Sequence, residues 1–499
     1  MKKCHFNQLI TKNITTMKRF FLAVLVCLFF IVRTKAQKPN IIYILTDQWR
    51  ASAFGYTGDP NVKTPNIDRF AQEAVSFANA VSVCPVSTPY RASLLTGRYP
   101  TSTGMFLNDL YLPSEELCMA EIFKSAGYNT AYIGKWHLDG HGRLNNVSPE
   151  RRQGFDYWKA LECSHEYNKM PYYENNSPEM KYWEEYSPFA ISKDAQKYIS
   201  EHAGSSKSFL LFVSIETPHF PHATAPAEYR DLYPESEIKT APNVPDGLIN
   251  NVREELNGYY AHCTATDKAI GELIKKIGEL GLMKNTVVVF TSDHGEMMGA
   301  HGVRPSSKQA AWDESIHIPF LIKTPSTDNE KGIVVNAPLT TTDILPTLLG
   351  LANIKIPKSV EGEDLSRLVK SPDPNADRAA LVMNICPFGN EYNMSEYRGI
   401  RTKQYTYICS PEGPEMMFDN LNDKYQMNNL VGKAEYADLQ KELNKKLDKS
   451  LKKIGDKDFQ RREYYLKKWD LKLNDEKIIG YSAFERGEGI VQSPKQKVY

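Results

Sequence analysis

The chain has 499 residues, 41% of them hydrophobic and 24% charged, an ordinary globular composition that suits one large domain and a smaller one. Lys and Arg number 61 against 60 Asp and Glu, a formal net charge of +1. That balance excludes bulk electrostatic binding to nucleic acid or anionic membrane, so any attraction for an acidic substrate must be local.

Residues 1–36 read as a signal peptide. Lys18-Arg19 precede an apolar run from Phe20 to Val32, and Arg33-Thr34-Lys35-Ala36 offers a small residue for cleavage. Met17 is an alternative start, because residues 1–16 add nothing a signal peptide needs. Cys27 lies inside the apolar run, but Leu28, Phe29 and Phe30 follow it, which argues against a lipoprotein anchor. The mature chain is expected to begin near Gln37 and to be exported, to a periplasm or beyond. No later stretch approaches the roughly 18 apolar residues of a stable membrane span.

Asn40 to Thr46 is a continuous apolar and β-branched run, expected as a fully buried strand. It ends in Asp47-Gln48, where open α/β sheets place their active sites, although Asp47 taken alone also reads as a turn cap. Thr64 to Ala74 reads as an amphipathic helix. Ser87-Thr88-Pro89-Tyr90-Arg91 opens a second helix through Leu95, with Pro89 in its first turn. A small hydroxyl residue there sits at the positive end of the helix dipole, and Arg91 can point back at the same place. By itself this pattern is an ordinary N-cap. A helix from Ser114 to Ala126 leads to the strand Thr130–Gly134, after which Lys135 and His137 fall on one side of an extended segment.

Residues 143–190 are polar, Tyr-rich and irregular. Trp158, Tyr172, Tyr173, Trp183 and Tyr186 there suit either sugar stacking or surface packing. Ser208 to Ser214 is a second buried strand. It leads to His219, fixed between Pro218 and Pro221, and to His222, which reads as a surface residue. A long amphipathic helix spans Asn251–Leu280 and stops at Gly281. Thr286 to Ser292 is a third buried strand, delivering Asp293-His294-Gly295-Glu296. Lys308 precedes a strand at Ile318–Lys323. Polar, proline-containing sequence from Pro357 to Asp377 marks a boundary. Beyond it, Ala379–Asn384 and Tyr397–Cys409 suggest a small antiparallel sheet, followed by a charged helix from Glu435 to Ile454 and a terminal tail. Six scattered cysteines follow Ala36 without a C-x-x-C pair, so no zinc site is expected; one disulfide is compatible with export but not needed.

Ser87-x-Pro89-x-Arg91 followed by Leu94-Leu95-Thr96-Gly97-Arg98-Tyr99-Pro100 resembles the motif of the type I sulfatases, members of the alkaline-phosphatase-like superfamily. There the first residue, Cys or Ser, is oxidised by a maturation enzyme to formylglycine, an aldehyde that hydrates to a gem-diol. Cys84 does not fit, because Val86 and Thr88 stand where Pro and Arg are required, so the resemblance implies a serine-type enzyme modified at Ser87. Asp47-Gln48, Gly134-Lys135-Trp136-His137, Pro218-His219-Phe220-Pro221 and Phe290 to Glu296 extend the resemblance along the chain, as does Thr341–Leu349.

The fold it implies is α/β: a large domain over 37–365, with a mixed, mostly parallel sheet between helices, and a C-terminal α+β subdomain over 376–480 with an antiparallel sheet. A tail covers 481–499. The resemblance also implies one divalent cation, most readily calcium, on Asp47, Gln48, Asp293 and residue 87, with His294 either a further ligand through nitrogen or only lining the site. Hard oxygen ligands favour calcium or magnesium over zinc. Arg91, Lys135 and Lys308 would neutralise the sulfuryl oxygens. His219 would protonate the departing sugar oxygen, and His137 would take the proton from the second hydroxyl of the hydrate, expelling sulfate. A plain serine would be sulfated once and stop.

The chain departs from the family's pattern at His294, where Asn is frequent, in a slightly long spacing from His301-Gly302 to Lys308, and at Asp423-Lys424 and Gln426. The implied partners are a sulfated carbohydrate (a glycosaminoglycan, mucin-type or other polysaccharide fragment) and the maturation enzyme. The alternatives are a phosphonate or phosphate ester hydrolase of the same superfamily, and a silent sulfated-glycan binder with Ser87 unmodified.

Overall fold

Alternation within Asn40–Asp47 decides the architecture. Ile41, Tyr43 and Leu45 belong to one apolar cluster, Ile42 and Ile44 to another, so both faces of this strand are covered. Thr286–Ser292 behaves the same way, with Val287 and Val289 on one side and Val288 and Phe290 on the other. A computed structural model describes residues 38–325, 332–388 and 395–473. The expected signal peptide with Cys27, residues 474–480 and the tail lie outside the described residues.

The strands in chain order are β1 (Asn40–Asp47), β2 (Val75–Phe77), β3 (Ala80–Val81), β4 (Asn129–Lys135), β5 (Tyr157–Leu161), β6 (Pro171–Glu174), β7 (Lys181–Tyr182) and β8 (Phe209–Pro218). They continue with β9 (Thr286–Ser292), β10 (Phe320–Lys323), β11 (Ile333–Val335), β12 (Leu339–Thr340), β13 (Ala380–Asn384), β14 (Tyr397–Arg401), β15 (Tyr405–Ser410) and β16 (Gly413–Asp419). A ten-stranded sheet runs β11-β2-β10-β9-β1-β8-β4-β5-β6-β7. Its centre, β9-β1-β8-β4-β5, is parallel throughout, and β10, β6 and β7 are antiparallel to their neighbours. β13 to β16 form a four-stranded antiparallel sheet. The α/β class with a mostly parallel main sheet and a C-terminal antiparallel sheet is as expected.

Helix α1 (Pro65–Glu73) precedes α2 (Ser87–Thr96), all ten residues of which are buried. Gly97 ends α2 with φ 66°, and its N–H bonds to Ser93 O at 2.9 Å. Later come α3 (Met119–Ser125), α4 (Ser187–His202), the long α5 (Ile249–Glu279) and α6 (Ala437–Lys453). Leu443, Leu447 and Leu451 recur every fourth residue of α6 and enter the apolar cluster that also holds Leu94 and Leu95 of α2. Each such leucine contributes about 1.5–3 kcal/mol by burial. The small sheet and the helix carrying Ser87 thus share one core.

Three expectations are corrected. The helix expected from Ser114 begins only at Met119, because Glu116 turns to pair with Arg98 at 2.7 Å and Cys118 caps α3. Residues 143–190 are not irregular: they supply β5, β6, β7 and the start of α4. Trp158, Tyr172, Tyr173, Trp183 and Tyr186 are buried, Tyr172 stacking on Trp183 at 4.4 Å, so these aromatics pack inside rather than facing a sugar. Cys84, Cys118, Cys163, Cys263 and Cys409 are free thiols within the core. Among the described residues no helix is long and apolar enough to cross a membrane.

Candidate active site

Asp47, Lys135, His219 and Asp293 stand at or just past the carboxyl ends of β1, β4, β8 and β9. The register brings those ends level: Thr46 pairs with Ser292, Asp47 with Pro218 and Gly134 with Ser214. Such ends are where open α/β sheets hold ligands. Gly134 has φ 106°, and a Cβ there would meet Ser214 O at 1.9 Å, so only glycine lets β4 lie this close to β8. Gln48 (φ 63°) and His137 (φ 58°) are both left-handed non-glycine residues, and strain of this kind collects at functional positions.

Ser87 is the first residue of α2, with Val86 as the N-cap. Its Oγ lies 3.4 Å from Asp47 Oδ2 and 3.3 Å from His294 Nε2. Cys84, by contrast, faces the core beside Cys386, where burial pushes its thiol up. Three cations and two carboxylates surround Ser87. Lys135 Nζ donates to Asp47 Oδ2 at 2.8 Å. Arg91 spends Nη2 on Asp47 Oδ2 and Asp293 Oδ2 at 3.3 and 3.4 Å, and Nη1 on Lys135 O and Ser214 Oγ at 2.9 and 2.8 Å. Its Nε is buried without a partner. Arg91 therefore braces the carboxylates, with one donor left over. Burial alone would raise the Asp47 carboxyl, yet the charges of Lys135 and Arg91 hold it well below the usual carboxylate range.

Lys308 belongs to the cluster despite the long spacing that precedes it: its Nζ reaches Gln48 Oε1 at 3.0 Å and His219 Nε2 at 3.1 Å. His219 Nδ1 lies 2.8 Å from Phe220 O, so the ring is neutral, donating from Nδ1 and accepting at Nε2. Burial, then the Lys308 charge, holds this imidazole well below its ordinary pKa.

His137 is not placed by strand alternation, since it lies beyond β4 in the left-handed region. Its Nε2 is 2.9 Å from Asp109 Oδ1, and Arg143 grips the same carboxylate through Nε and Nη2, both at 2.9 Å. With the proton on Nε2 facing a carboxylate, Nδ1 is a bare acceptor, and it is buried without a partner. Burial lowers the ring's pKa to about 3, the Asp109 bond acting in the opposite sense. Thr88 Oγ1 donates to His137 O at 2.9 Å, tying this segment to the start of α2.

Asp47, Asp293 and His294 can hold a metal ion: all three are fully buried and one ligand atom from each falls within 4.8 Å of the others. Asp47 Oδ1 is buried with no hydrogen-bond partner, an orphan that a cation would satisfy. Asp293 Oδ1 is aimed by the N–H groups of Gln48 (3.1 Å) and His294 (2.9 Å). Gln48 places its amide oxygen on Lys308 and donates its amide nitrogen to Glu296 Oε2.

Asp47, Gln48, Ser87, Arg91, Lys135, His219, Asp293, His294 and Lys308 are thus linked in one hydrogen-bonded cluster, and His137 adjoins it through Thr88. His222 is corrected: it is buried, not a surface residue, with Nδ1 2.6 Å from Glu255 Oε2. The motifs missed Asp109, Arg143 and Glu162, whose carboxylate accepts the N–H groups of Leu138, Asp139 and Gly140 at 3.1, 2.7 and 2.9 Å and so shapes the turn after His137. Glu296 had a signal, an acid three residues beyond Asp293 at a buried strand end. Asp109 had none.

A mostly parallel sheet whose strand ends gather three possible metal ligands beside a helix-borne hydroxyl suits metal-assisted hydrolysis. The chain belongs to the sulfatase family: residues 39–354 match Sulfatase, and residues 299–453 match N-sulphoglucosamine sulphohydrolase, C-terminal. It is a sulfuric ester hydrolase. An ulvan-active sulfatase of Formosa agariphila is 63% identical over 458 residues, 92% of this chain and 89% of that protein. An endo-4-O-sulfatase of Bacteroides thetaiotaomicron is 31% identical, covering 85% of this chain and 94% of its own. A solved structure from the metabolism of multiple glycosaminoglycans by the same organism superposes with a TM-score of 0.75 at 30% identity, over 84% of this chain and 97% of that one.

Proposed function

We propose that the protein removes sulfate from a sulfated polysaccharide of the ulvan type, through Ser87 converted to formylglycine. The observation that carries the chemistry is the seating of Ser87 Oγ between Asp47 and His294. The 63% identity to an ulvan-active sulfatase supports the substrate and favours sulfate esters over phosphonates. The basic and apolar run within residues 1–36 supports export, after or during maturation by a formylglycine-generating partner.

Formylglycine would supply the nucleophilic hydroxyl, and a divalent cation the charge that acidifies it. Asp47, Asp293 and His294 would hold that cation, joined by the Gln48 amide oxygen once Lys308 turns toward substrate. Mostly oxygen donors make calcium the ion of choice. Lys135, Lys308 and the Nε of Arg91 would receive the sulfuryl oxygens. His219 is neutral at rest. A bound anion that draws Lys308 off Nε2 frees that nitrogen and removes one cause of the low pKa, burial being the larger, which favours a proton there for the leaving oxygen. Asp109 holds His137 with Nδ1 bare, the state required of a base.

Sulfate release from ulvan oligosaccharides tests the reading. The expected result is turnover there exceeding that on chondroitin or heparin fragments; release from those alone contradicts the substrate. For the metal, chelation is expected to abolish turnover and calcium to restore it. Zinc in the active protein would contradict the ligand argument.

A further inference from the structure

An open cleft of about 460 Å³ lies beside the active site and shares no residue with it: none of Asp47, Gln48, Ser87, Lys135, His219, Asp293, His294 or Lys308 lines its wall. Arg50 does, and it is the least expected residue there. It is only 7% exposed, its Nε is buried without a hydrogen-bond partner, and among the described residues no carboxylate oxygen lies within 4.0 Å of its guanidinium. Burial acts against its charge, but Tyr260, Tyr259, Asp59 and Glu314 more than offset that without pairing with it, so the guanidinium stays charged. Asp59 is occupied, taking the Tyr260 hydroxyl at 3.0 Å and the N–H groups of Asn61 and Val62 at 2.8 and 3.0 Å.

A guanidinium withdrawn from bulk water with a donor left unmatched is costly, and natural proteins match such donors or give them to a ligand. Arg50 is not paired, and it faces an accessible space. Around that space stand Lys239 and Lys424, both exposed, which add cations at its rim to the one at its base, while the lining acid Asp313 is paired with Arg401 at 2.5 Å. Glu314 lines the same cleft, and its buried Oε2 accepts no hydrogen bond, the nearest cationic candidate being His301 Nε2 at 3.9 Å, while its Oε1 takes Asn243 Nδ2 at 2.7 Å. Half-buried Tyr56 and Tyr425 offer aromatic surface.

A forked cation beside an unused acceptor, with tyrosines around them, matches a ligand carrying an oxyanion, a neighbouring hydroxyl and a compact ring. We propose that this cleft is a second, non-catalytic binding site for an anionic sugar unit, its carboxylate or sulfate on Arg50 and a hydroxyl on Glu314. The choice of a sugar rests on the sulfated-polysaccharide reading; the anion site itself does not. A chain held there stays near the catalytic residues while other units are desulfated.

Full-length protein is titrated with glucuronate, glucose 6-sulfate and glucose, by calorimetry, as wild type, R50M and the K239A/K424A double variant. Turnover of an aryl sulfate is followed in each, so failure of the sulfatase reading registers separately. The expected result is that one or both anionic sugars bind and glucose does not. R50M should weaken binding by about tenfold or more, as for loss of a charged hydrogen bond. K239A/K424A should weaken it by about two- to fivefold, as for exposed charges, with aryl sulfate turnover unchanged. Which anion binds better identifies the oxyanion. Equal binding of glucose, no binding of either anion, or wild-type affinity in the variants overturns the proposal. Should R50M fail to fold, the exposed lysine pair decides it.

Discussion

Ser87→Ala is expected to lower turnover of any sulfate ester by about 10⁴- to 10⁶-fold, the scale on which removal of a covalent nucleophile acts. Cys84→Ser should leave turnover nearly unchanged. The two residues lie three apart, yet the fold treats them oppositely. Ser87 opens α2 with its Oγ 3.4 Å from Asp47, whereas Cys84 is 1% exposed in the apolar core, its thiol pushed up by burial. A host whose maturation enzyme accepts only cysteine should yield inactive wild type, and Ser87→Cys should restore activity there. Full activity of Ser87→Ala would leave the cluster without a nucleophile.

His219→Ala should lose about 10²- to 10⁴-fold on a sugar sulfate, the usual contribution of a general acid. On an aryl sulfate, whose phenolate departs unaided, the loss should be far smaller, since the proton is no longer needed in the transition state. His137→Ala should show no such dependence, because its bare Nδ1 serves after the alcohol has left. Measuring kcat/KM across leaving groups of graded pKa separates the two: a steep slope appears for His219→Ala alone. Equal losses on both substrates would move the acid role elsewhere, and His222, buried against Glu255 with its Nε2 unpartnered, is the residue to test next.

What could be read from the chain follows from how local the physics is. A central parallel strand is apolar on both faces, so β9 was legible to the residue as Thr286–Ser292. The site residues hang on the ends of such strands, and this is why Asp47 and Asp293 were legible with them. Strands β6 and β7, at one end of the main sheet, are only four and two residues long, and β7 is half-buried Lys181 with exposed Tyr182, leaving no run to recognise. Asp109 was invisible for another reason. Its value lies in a 2.9 Å hydrogen bond with His137 and a pair of hydrogen bonds accepted from Arg143, residues 28 and 34 positions away, and no spacing announces that meeting.

The state of residue 87 in the active protein tests the account most directly. Mass analysis of the peptide spanning Ser87, taken from enzyme purified from its native host and titrated for activity, is expected to show residue 87 lighter by two hydrogens than serine, in proportion to turnover. Fully active protein carrying unmodified serine at position 87 would contradict it.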